Sequence, residues 1–64
     1  LHVDLGQIYF DQKRYDEALE EFMTAWKLGN SQGRVGAENV GNIWYNAGDE
    51  QHANAVYKRI LEKN

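Results

Sequence analysis

The sequence predicts an all-α fold of four antiparallel helices, paired as two helix–turn–helix units. Three observations lead to it. The 64 residues contain no proline, and apolar side chains recur at helical spacing throughout, with no segment alternating at the period of a half-buried strand. Glycines in Leu28-Gly29-Asn30 and Gly48-Asp49 punctuate the pattern where helices would stop. The chain also matches itself when slid by 35 positions, which sets Gly6 on Gly41.

The first helix rests on Leu1, Leu5, Ile8 and Tyr9, spaced i, i+4, i+7, i+8. The second carries a longer single-face stripe of Tyr15, Ala18, Leu19, Phe22, Ala25 and Trp26. Asp16, Glu17, Glu20 and Glu21 fill its early turns, where negative charge suits the helix dipole, and Gly29 suits the left-handed residue that closes it. Val40, Ile43, Trp44 and Ala47 define the third helix, but Gly33 and Gly36 within GNSQGRVGAEN blur its start. Gly48 stops that helix and Asp49 caps the next. Ala53, Val56, Tyr57, Ile60 and Leu61 form the fourth stripe, with Lys58, Arg59 and Lys63 late in the helix, where positive charge is favoured.

The 35-residue shift superposes Leu5-Gly6 on Val40-Gly41, Tyr9-Phe10 on Trp44-Tyr45, Ala18 on Ala53, Phe22 on Tyr57 and Ala25 on Ile60. Glycine costs about 1 kcal/mol relative to alanine inside a helix, so its recurrence needs a packing reason. Antiparallel helices approach closely only where a small side chain on one meets a large one on the other. Gly6, Gly41, Ala18 and Ala53 are the small partners; Tyr9, Phe22, Trp44 and Tyr57 are the large ones. The chain is thus read as one domain over 1–64, with repeat one at about 1–30 and repeat two at about 35–64.

These motifs resemble the tetratricopeptide repeat (TPR). Leu5-Gly6-x-x-Tyr9, then Ala18-x-x-x-Phe22 and Ala25, follow the family pattern in the first unit; Val40-Gly41-x-x-Trp44 and Ala53-x-x-x-Tyr57 follow it in the second. His2 and Ala37 stand where the family often has Trp, Asn30 where it commonly has Pro, and Ile60 where it has Ala. The resemblance implies an α-α superhelix and a scaffold role, binding a peptide or partner protein on the concave face. Positions implied for that face are Val3, Gln7, Phe10 and Asp11 from the first helix and Glu38, Asn39, Asn42, Tyr45 and Asn46 from the third. Glu38, Asn42 and Tyr45 fall at i, i+4, i+7 beside the apolar stripe rather than on it. Asparagine and glutamine amides both donate and accept, as gripping a peptide backbone requires, while Phe10 and Tyr45 offer apolar pockets. The first helix has no Lys or Arg over Leu1 to Phe10, which argues against the carboxylate clamp of one TPR subset.

Composition narrows the remaining classes. Ten acidic against seven basic residues give a net charge of −3, which argues against nucleic acid. The alternative reading is a pentatricopeptide-like RNA-binding repeat, favoured by the 35-residue spacing and opposed by that charge and by L-G-x-x-Y. No apolar run approaches the roughly 20 residues needed to span a bilayer. The absence of cysteine is compatible with a reducing compartment such as the cytoplasm. No nucleophile–base or paired-carboxylate arrangement is visible, and the two histidines lack a second ligand type at metal spacing, so neither an enzyme nor a cofactor or metal is expected. His52 beside Asp49 reads as surface decoration, and the four acids of the second helix read as a solvated face.

A chain this short buries only about 60% of its unfolded surface. Starting at Leu1 rather than Met, it is read as a fragment of a longer protein or a trimmed chain. Two repeats are fewer than the three such folds need. Helix four, through Val56, Tyr57, Ile60 and Leu61, is therefore expected to leave apolar surface open for self-association with a second copy.

Overall fold

Every turn in this chain is made in the same way. The computed structural model describes residues 1–62, in which α1 (His2–Asp11), α2 (Tyr15–Lys27), α3 (Ser31–Asn46) and α4 (Glu50–Glu62) follow one another through short links. Lys63, expected to serve the dipole of α4, lies outside the described residues. At the end of α1 the Arg14 amide donates to Tyr9 O at 2.9 Å and the Lys13 amide to Phe10 O at 3.0 Å. Asn30 to Ala25 O and Gly29 to Trp26 O repeat the pattern after α2; Asp49 to Trp44 O and Gly48 to Tyr45 O repeat it after α3. These are Schellman closures, each needing a left-handed residue: Lys13 (φ 63°), Gly29 (φ 96°) and Gly48 (φ 85°).

Two helix starts are capped by side chains. Asn30 Oδ1 accepts from the Gln32 amide at 2.9 Å, and Asp49 Oδ1 accepts from the His52 amide at 3.0 Å. The first cap settles the start of α3 at Ser31, so Gly33 and Gly36 are helical rather than part of a loop.

Links this short force antiparallel neighbours. α1 packs on α2, α2 on α3 and α3 on α4, while α1 also meets α3. Ala18, Leu19, Phe22, Ala37, Val40, Val56 and Ile60 form the core. At its centre the Phe22 ring lies between two glycines: a methyl group built on Gly6 would fall 2.6 Å from Phe22 Cε1, and one on Gly36 would overlap the same ring. Gly41 meets Tyr57 Cε1 at 2.5 Å in the same sense, so the small-to-large contact inferred from the 35-residue match is present in both hairpins. A methyl group built on Gly33 would meet main chain instead, Phe22 O and, at 2.6 Å, Trp26 N.

Two expectations about exposed faces are corrected. α1 turns Gly6 inward with Tyr9 and Phe10 half-buried, and its stripe of Leu1, Leu5 and Ile8 faces outward, because α2 and α3 cover only the opposite flank. On α4 the reverse holds. Val56 is 2% and Ile60 7% exposed, both in the core, and Tyr57 is half-buried; of the four residues expected to leave some apolar surface open, Leu61 is the exposed one, at 82%. Among the described residues no helix is long and apolar enough to cross a membrane.

Candidate functional site

The third helix carries the candidate surface. Its buried positions, Gly33, Gly36, Ala37, Val40 and Gly41, face the core, which leaves Asn39, Asn42, Tyr45 and Asn46 exposed. Asn39, Asn42 and Asn46 fall at i, i+3, i+7 and so form one amide stripe, with the 57%-exposed Tyr45 beside it. On α1 the matching positions are Gln7 and Asp11, also exposed and joined by a hydrogen bond from Gln7 Nε2 to Asp11 Oδ1 at 3.0 Å. Val3 is half-buried. Phe10, expected to offer a pocket, instead packs against the core and meets Tyr15 edge-on, with ring centroids 5.4 Å apart.

A groove of about 370 Å³ runs between α3 and α4, lined by Arg34, Glu38, Asn42, Tyr57, Ile60 and Leu61. It joins residues that sequence reasoning assigned to two separate surfaces. The Tyr57 hydroxyl donates to Asn42 Oδ1 at 2.6 Å across it, leaving the Asn42 amide nitrogen free of that bond. Arg34 Nε donates to Glu38 Oε2 at 3.2 Å along one wall. Arg34 was missed because it precedes the expected start of α3. With Asn30 taken as the cap, the spacing Arg34, Glu38, Asn42 (i, i+4, i+8) would have placed it on this wall.

The acidic run of α2 is a largely exposed face, as expected, and each of its four acids also has a basic or histidine partner. Asp16 Oδ1 lies 3.1 Å from His52 Nε2 and Glu20 Oε2 2.6 Å from Arg59 Nη1, both joining α2 to α4. Glu21 accepts from His2 Nδ1 of α1 at 2.9 Å, and Glu17 pairs with Arg14. Arg59 is held above its ordinary pKa chiefly by the hydrogen bond to Glu20, against a desolvation that lowers it. His52 is likewise more than decoration. It stacks on Trp44 with centroids 4.0 Å apart and planes 16° from parallel, and Trp44 meets Tyr15 edge-on at 5.7 Å. Phe10, Tyr15, Trp44 and His52 thus form a row of rings, one from each helix, at the end of the molecule where α1 and α3 finish. Among the described residues, no group of three or more His, Cys, Asp or Glu side chains is placed to hold a metal ion.

No protein-family model matches the chain, and neither a curated protein nor a solved structure shows significant similarity to it.

Proposed function

We propose that the chain is a TPR-type interaction module whose α1–α3 face takes an extended peptide or a segment of a partner protein, in a cytoplasmic setting. The observation that carries this reading is the exposed amide stripe of Asn39, Asn42 and Asn46 beside Tyr45. Three side chains that each donate and accept, at helical spacing, match the alternating N–H and C=O groups of an extended backbone. The exposed phenol ring adds apolar contact area at low entropic cost. The recurrence of Gly6 against Phe22 and Gly41 against Tyr57 supports the repeat assignment. Net charge −3 and the absence of Lys or Arg from α1 weigh against an RNA backbone as ligand.

The test uses random twelve-residue peptides displayed on phage and selected on the 64-residue chain, the enriched peptides then being titrated by calorimetry. Replacing both Asn39 and Asn46 by alanine is expected to weaken binding about tenfold or more, roughly 1.4 kcal/mol, without lowering the melting temperature. Failure to enrich any peptide, or affinities indifferent to the double substitution, overturns the proposal.

A further inference from the structure

The two hairpins are joined by a contact whose two halves both recur, unused, on the outside of the molecule. In the joint, α3 lies against α1 and α2, with Gly36, Val40 and Ile43 turned towards them; Gly36 and Val40 are buried and Ile43 is half-buried. The receiving surface includes Phe22, Ala25 and Trp26, which Gly33 and Gly36 approach directly.

Moving the receiving residues 35 positions along the chain gives Tyr57, Ile60 and Leu61, and these line the α3–α4 groove. Among the described residues nothing occupies that groove; it has a volume of about 370 Å³, and Leu61 at its rim is exposed. Moving the inserted residues 35 positions back gives Leu1, Leu5 and Ile8, the stripe that α1 turns outward. The socket and the plug of the internal joint therefore both reappear, on opposite flanks of the same molecule.

The geometry points to head-to-tail association of this chain with itself, the α1 stripe of one copy seated in the α3–α4 groove of the next. The contact continues the internal joint in the same register. One substitution shapes it: Leu1 stands where α3 has Gly36, so the Tyr57 ring of the receiving copy, the counterpart of Phe22, must lie aside to admit a side chain that Gly36 does not have. The charges do not oppose the contact: α1 carries Asp4 and Asp11, while the groove wall carries Arg34 and Glu38 already paired with each other, so no net charge of like sign faces them. A plug and a socket on different flanks make the interface heterologous, so each copy leaves one of each free and growth continues into rings or open stacks. Each added copy would bring its Gln7 and Asp11 alongside Asn42 and Asn46 of the last, lengthening the polar stripe.

Sedimentation equilibrium of the 64-residue chain tests this. The wild type is expected to show a weight-average mass that rises with concentration beyond a dimer. Leu5→Lys spoils the plug and Leu61→Lys the socket; each places a charge against an apolar surface and is expected to weaken association about tenfold or more. Mixed in equal amounts, the two variants are expected to form a one-to-one dimer and nothing larger, because one intact plug meets one intact socket. Circular dichroism establishes that both remain helical, and Ile8→Gln replaces Leu5→Lys if that variant unfolds. A monomeric wild type overturns the inference and leaves the groove to a helix of another chain. Loss of association in Leu61→Lys but not in the plug variant also overturns it, since that result marks a symmetric contact through α4. So does a mixture that stays monomeric.

Discussion

A methyl group on Gly33 would land on the carbonyl of Phe22 and the amide nitrogen of Trp26. A ring can turn aside from such a contact, whereas helix backbone cannot. Gly33→Ala is therefore expected to destabilise the fold by about 1–3 kcal/mol, outweighing the roughly 1 kcal/mol that alanine gains in helix propensity. Urea unfolding measures it, and a raised midpoint would show that the two backbones do not approach so closely. Gly6 and Gly41 were legible in the sequence because each stands in a recurring L-G-x-x-Y-like frame. Gly33 was not. Among Ser31, Gln32 and Arg34 a glycine reads as loop, and only the helix it faces across the α2–α3 link reveals a close contact.

At the level of the helix, α1 is closed by a lysine where α3 is closed by a glycine: Lys13 and Gly48 stand 35 positions apart and make equivalent turns. The left-handed conformation costs a side-chain-bearing residue about 1–2 kcal/mol, part of which glycine returns as unfolded-chain entropy. Lys13→Gly is accordingly expected to stabilise the domain by about 0.5–1 kcal/mol, visible as a melting temperature higher by roughly 4 °C. No change in melting temperature would mean that the strain is relieved locally. The number, order and type of helices were legible because periodicity and stop signals reinforce each other. The orientation of α1 was not. Its four regularly spaced apolar residues describe a stripe, but a stripe shows what is apolar and not which flank a neighbour covers. The reversal on α4 has the same origin, since Val56 and Ile60 are buried in a core that α2 and α3 share.

The whole molecule is a slab measuring 30 × 28 × 13 Å between its Cα atoms, with a radius of gyration of 10.6 Å. That radius is close to the roughly 10.7 Å expected of a compact chain of this length. Across the slab, α2 and α4 are tied by Glu20–Arg59 and Asp16–His52. Both pairs are well exposed, so a double-mutant cycle on Glu20 and Arg59 is expected to give a coupling of no more than about 1 kcal/mol that declines with added salt. Because the Arg59 pKa is raised on folding, its contribution is complete below the unfolded value and is lost only as pH rises through the folded one. The coupling should therefore be the same at about pH 7 and pH 9, and a fall between them would reveal another titrating group. These ties escaped sequence reasoning because pairs 36 and 39 positions apart carry no local signature. The joint between α2 and α3 is tapered. Near Gly33 it is thin enough for main chain to meet main chain, and at the other end the rings of Tyr15 and Trp44 hold it apart. Repeated at each joint of the proposed head-to-tail stack, such a taper would make the stack curve instead of running straight, with an arc set by the difference in bulk between one glycine and one tryptophan.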